Sequence, residues 1–127
     1  MLTQRHEIDA WLGDDHGLTP EQIDGLQKAS DGINARWPGA DDGEERETAL
    51  ITAYRLMVED PELVVAELAG ARLCAQVAET RAMAGLQQAA ISLIERGGRG
   101  IRSQQGYAER ASVDRMTVRE WLGLRDR

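Results

Sequence analysis

Apolar residues recur along this chain at spacings of three and four, the period of a helix packed on one side. Ile8, Trp11 and Leu12 share one face of a first helix predicted over residues 3–12, after which Gly13-Asp14-Asp15-His16-Gly17 reads as a turn. A second helix has a marked start: Thr19 can cap, Pro20 suits the first helical position, and Gln22 completes a Thr-x-x-Gln capping box. Ile23, Leu26, Ile33 and Trp37 then keep to one stripe until Pro38-Gly39 stops it. Residues 40–45 form an acidic link. A third helix is expected over residues 44–59, with Leu50, Ala53, Tyr54 and Met57 inward.

Asp60-Pro61 repeats the cap-plus-proline signature. From there to about Arg96 the chain has no proline, and Val64, Leu68, Ala71, Ala75, Ala78 and Ala82 recur by fours and threes. A seam of small residues suits close packing against another helix, including the same helix of a second copy. Gly70 and Gly85 each cost roughly 1 kcal/mol relative to alanine in a helix interior. The pattern therefore predicts either one long helix or two, broken near Gly85. Cys74, between Leu73 and Ala75, is expected to be a small buried residue. Leu86, Ala90, Ile91, Leu93 and Ile94 supply the apolar end, and Gly97-Gly98-Arg99-Gly100 terminates it.

Two short amphipathic patterns follow. Ser103 is placed to cap a helix QQGYAERA with Tyr107, Ala108 and Ala111 on its inner face, and Asp114 to cap a last helix with Val118, Trp121 and Leu122 inward. Two helices crossing over a turn of three or four residues need a small side chain at the crossing. Ala108 against Val118 meets that need, with Val113 plugging the corner.

These residues carry a resemblance. Gln104, Ala108, Val113, Val118 and Trp121 fall on the pattern Q-x-x-x-A-x-x-x-G-V-x-x-x-x-V-x-x-W, so residues 103–123 resemble the helix-turn-helix of bacterial transcriptional regulators. The chain departs from it at the turn, where Ser112 stands in place of the usual glycine. The resemblance implies a C-terminal tri-helical DNA-binding unit, with the helix around residues 86–96 in support and helix 114–123 entering the major groove. The residues expected to meet DNA are Arg99, Arg102, Ser103 and Gln104 on the backbone, with Arg115, Met116, Thr117, Arg119 and Glu120 on or beside the base-reading face. Arginine can pair bidentately with guanine, and glutamate can accept from cytosine. Free N–H groups at a helix start attract phosphate.

Charge sharpens this picture. The chain carries a formal −7, but residues 96–127 hold eight arginines against four acids, net +4, whereas residues 1–95 hold seven bases against eighteen acids, net −11. A basic end on an acidic body points to an anionic partner for that end. Lysine occurs once, at Lys28, which with the abundant alanine and glycine indicates a GC-rich genome.

The expected fold is all-α: an N-terminal helical bundle for dimerisation or effector binding (residues 1–84, with the long alanine-rich helix) and a helix-turn-helix domain (residues 85–127). The expected function is that of a sequence-specific DNA-binding protein, a transcriptional regulator acting on double-stranded DNA as a homodimer. Its dimer contact is assigned either to the alanine seam or to the faces of the first three helices. The alternative is an adaptor whose C-terminal hairpin docks a protein partner such as a polymerase, sigma or partition component. Cys74 alone permits no intramolecular disulfide. His6 and His16 lack metal-ligand spacing, 41–45 lacks the alternation of a calcium loop, and no nucleophile stands with a base. No metal, cofactor, catalytic residue or enzymatic activity is expected. No stretch is apolar enough for a membrane span and the first residues lack a secretion signal, so a cytoplasmic location is expected.

Overall fold

A computed structural model of the chain describes residues 2–123; Arg125, Asp126 and Arg127, counted above in the basic end, lie outside the described residues. The fold is all-helical. Six α-helices and one 3-10 turn follow in order, with no strand among the described residues: α1 (Arg5–Leu12), α2 (Pro20–Arg36), α3 (Gly43–Val58), α4 (Pro61–Leu93), the 3-10 turn (Gly100–Arg102), α5 (Gln104–Ala111) and α6 (Arg115–Trp121). No helix among the described residues is long and apolar enough to cross a membrane. The chain divides into two compact units between Ala69 and Gly70, inside α4.

In the first unit, α1 begins two residues later than its periodicity predicts. The Glu7 carboxylate accepts the backbone N–H groups of Thr3 and Gln4, at 3.4 and 3.1 Å, and so closes the helix start at Gln4. Burial opposes ionisation of Glu7, but those bonds and the one from the Thr3 hydroxyl outweigh it and hold its carboxyl below the usual range. Helix α2 starts as its sequence dictates: the Thr19 hydroxyl accepts from Gln22 N at 3.1 Å and the Gln22 carboxamide accepts from Thr19 N at 2.9 Å. Ile8, Ile23, Leu26, Ile33 and Leu50 are the buried centre, with Trp11, Trp37, Tyr54 and Met57 packed against it. The segment before α1 is fastened across α2, where the Leu2 carbonyl accepts from Ser30 Oγ and Asn34 Nδ2. Arg55 on α3 donates to both Glu59 and Glu67. That pairing raises the Arg55 pKa, and the bond from Arg55 lowers that of Glu59.

Helix α4 is unbroken through Gly70 and Gly85, so the one-helix alternative holds. At 1.5 Å per residue its 33 residues extend about 50 Å. Val64 is buried near its start and Ala90 near its end, but every residue from 65 to 82 is exposed. Cys74 is therefore exposed, not buried as its apolar neighbours suggest. An apolar pattern reports that a helix wants a cover; it does not report that the chain supplies one.

In the second unit the buried centre is Ala90, Tyr107, Ala108 and Val118, with Leu93, Ile94, Ala111, Val113, Trp121 and Leu122 packed around it. Residues from the end of α4, from α5 and from α6 thus share one core, and the Tyr107 hydroxyl donates to the Leu86 carbonyl of α4.

Candidate nucleic-acid interface

Helices α5 and α6 are each set by a local cap. The Ser103 hydroxyl accepts from Gly106 N at 3.0 Å and donates to the Gly100 carbonyl at 2.9 Å, starting α5 and tying it to the 3-10 turn. Asp114 accepts from Met116 N at 3.3 Å and starts α6. Each cap satisfies an amide that the helix itself leaves unpaired.

Between the caps the chain turns at Ser112, whose backbone is left-handed (φ 55°, ψ 41°). This is the position where the sequence pattern has glycine. An L-residue there costs roughly 1–2 kcal/mol, because Cβ crowds the following carbonyl. The turn closes with Val113 N bonded to the Ala108 carbonyl at 3.1 Å. Ala108, the small residue expected at the crossing, and Val118, expected against it, both belong to the buried core of this unit. Val113 is half-buried against the same core.

Two close approaches were not legible in the sequence. A methyl group built on Gly106 would lie 2.0 Å from the Gly100 carbonyl oxygen, and one on Gly98 would lie 2.3 Å from the Arg102 carbonyl oxygen. The segment from the end of α4 to α5 is thus pressed backbone to backbone, with Glu95 N also bonded to the Arg102 carbonyl at 3.0 Å. The only sequence signal was a glycine inside a short helix, which periodicity treats as a weakness.

Ser103, Gln104 and Arg115 line one surface groove together with Arg96, Gly98 and Gln105. Arg99 and Arg102 are exposed on the adjoining segment but do not line the groove. On α6, Arg115, Met116 and Glu120 are exposed, whereas Thr117 and Arg119 are half-buried. Arg119 is already engaged in an interaction, so it does not stand as an open outer side chain. Ser103 spends its hydroxyl on the cap. Gln104 Oε1 is enclosed with no hydrogen-bond partner among the described residues. A buried amide oxygen without a donor is costly, by roughly 1–3 kcal/mol. Among the described residues no three of His, Cys, Asp and Glu gather as metal ligands would. Against this geometry, no model of a known protein family, no curated protein and no solved structure matches the chain.

Proposed function

We propose that this protein is a bacterial transcriptional regulator that binds double-stranded DNA sequence-specifically, with α5 and α6 acting as a helix-turn-helix and residues 114–123 entering the major groove, in a homodimer. The observation that carries the reading is the left-handed Ser112 between two capped helices whose inner residues, Ala108 and Val118, share one core. That corner turns α6 so that Arg115, Met116 and Glu120 remain exposed beside a groove lined by arginine, serine and glutamine side chains together with Glu95, Ile94 and Leu122. Arg115 and Glu120 are the base-reading candidates on the open part of that face, and Thr117 and Arg119 flank it. Arg99, Arg102, Ser103 and Gln104 lie toward the phosphates and set register. The acidic N-terminal part discourages binding elsewhere on the molecule.

The test is binding to a mixed-sequence duplex pool as salt is raised. A DNA reader loses affinity steeply, by about one log unit of K per log unit of salt for each phosphate neutralised. Arg99→Ala should weaken all sequences alike and lower that slope by about 1, whereas Arg115→Ala should change which sequences are retained. Absence of binding at low salt would defeat the proposal and favour an adaptor that docks a protein partner, for which exposed Met116 and Ile101 offer apolar contacts.

A further inference from the structure

Among the described residues none covers the middle of α4. All eighteen residues from 65 to 82 are exposed, and Leu68 is 41% exposed. Leu68, Ala71, Ala75, Ala78 and Ala82 lie three and four apart, at the a and d positions of a coiled-coil seam. Continued by one step, the seam reaches Gly85, also exposed and with open space around its Cα. The flanks of the seam carry Arg72 and Glu79 on one side, both exposed and neither in an ion pair among the described residues.

We infer that the occupant of this seam is α4 of a second copy, running antiparallel, with Arg72 of each chain facing Glu79 of the partner subunit. One register satisfies every layer at once. In it Ala75 meets Ala78 of the partner subunit, Ala71 meets the partner's Ala82, and the large Leu68 sits over the partner's Gly85. Between residues 68 and 85, small side chains at four seam positions bring the two axes close and the glycine receives the one bulky residue, while Val64, the preceding residue of the stripe, is buried within its own chain and ends the seam. The two-fold axis then makes the Arg72–Glu79 pair twice, and Val65 at the edge meets the partner's Leu86. No like charges face each other. A parallel pairing would instead set Leu68 against Leu68 beside bare alanine layers, would pair Arg72 with the partner's Glu67, whose carboxylate Arg55 already holds within its own chain, and would place Glu79 opposite Cys74. The dyad falls between Gln76 and Val77, so the two Ala90 residues stand about 40 Å apart along the helix direction at 1.5 Å per residue.

This deepens the homodimer part of the DNA-binding reading, but its test involves no DNA, so each can fail alone. The measurement is sedimentation equilibrium of the full chain at low ionic strength, with helix content followed by circular dichroism to show that each variant is folded. Wild type should dimerise. Arg72→Glu and Glu79→Arg should each raise the dissociation constant about tenfold, because two attractive pairs become two repulsive ones. The double variant R72E/E79R should return to within about threefold of wild type. In a parallel dimer the double variant would stay weak, since Glu67 would then face the acid introduced at 72. Independently, R81C should cross-link to Cys74 of the partner subunit under mild oxidation faster than wild type cross-links through Cys74 alone. A monomeric wild type, single variants without effect, a double variant that is not rescued, or dissociation caused by Leu73→Glu on the opposite face while the charge swaps do nothing, would each overturn the inference.

Discussion

The substitution Gly106→Ala has a sign opposite to the one helix propensity assigns. Replacing glycine by alanine inside a helix gains about 1 kcal/mol when the new methyl group has room. At Gly106 it has none: the methyl carbon would stand 2.0 Å from the Gly100 oxygen, 2.6 Å from its carbon and 2.9 Å from Ser103 Oγ. The obstacles are backbone and a capping hydroxyl, which cannot swing away as the end of a long side chain can. Relief requires moving the 3-10 turn off α5. The Gly100 carbonyl accepts both Ser103 N and Ser103 Oγ, and the same hydroxyl accepts Gly106 N. Loss of that cap and its associated bonds costs about 3–4 kcal/mol. Against the propensity gain, the net destabilisation is about 2–3 kcal/mol. For a unit of this size that lowers the melting temperature by roughly 10–20 °C. Gly70→Ala is the internal control, because nothing lies within 4 Å of the place its new methyl group would take; it should stabilise by about 0.5–1 kcal/mol. Thermal unfolding followed by far-ultraviolet circular dichroism separates the two. A Gly106→Ala protein as stable as wild type would refute the claim that the turn and α5 are pressed together through their backbones.

Two further outcomes follow from other positions. Ser112→Gly removes the left-handed penalty at φ 55° and should stabilise the second unit by about 1 kcal/mol, whereas Ser112→Val should destabilise it; equal melting temperatures for all three would refute the turn geometry. Glu7 has its pKa lowered in the fold, so its contribution is fully present above the ordinary carboxylate range near 4.5 and is lost as pH falls through the lower folded value. The stability difference between wild type and Glu7→Gln should therefore be present at pH 6 and disappear in acid, and a carboxyl titration by NMR at or above the ordinary value would contradict the capping role.

The helices with their own boundary chemistry were the ones their residues could announce. Thr19-Pro20-x-Gln22, Ser103 and Asp114 place helix starts through bonds that span two or three residues, and the structure has each bond. The same holds for the inward residues of α2, α5 and α6, because a period of 3.6 marks a face whatever eventually covers it. The start of α1 slipped because Glu7 reaches back to Thr3 and Gln4, a side-chain choice that periodicity does not contain.

The features legible in the residue order alone were local: an all-helical chain, the caps, the apolar faces and the burial of Ala108 and Val118. Packing in three dimensions settled the rest, at Gly98 and Gly106 between residues only four and six apart. It exposed Cys74 and the whole of 65–82, half-buried Arg119 on a face expected to be open, and made Gly98 and Gly106 indispensable by bringing carbonyl oxygens against them. Capping and periodicity act over one or two turns of chain, whereas cover, exposure and backbone contact are properties of pairs of segments.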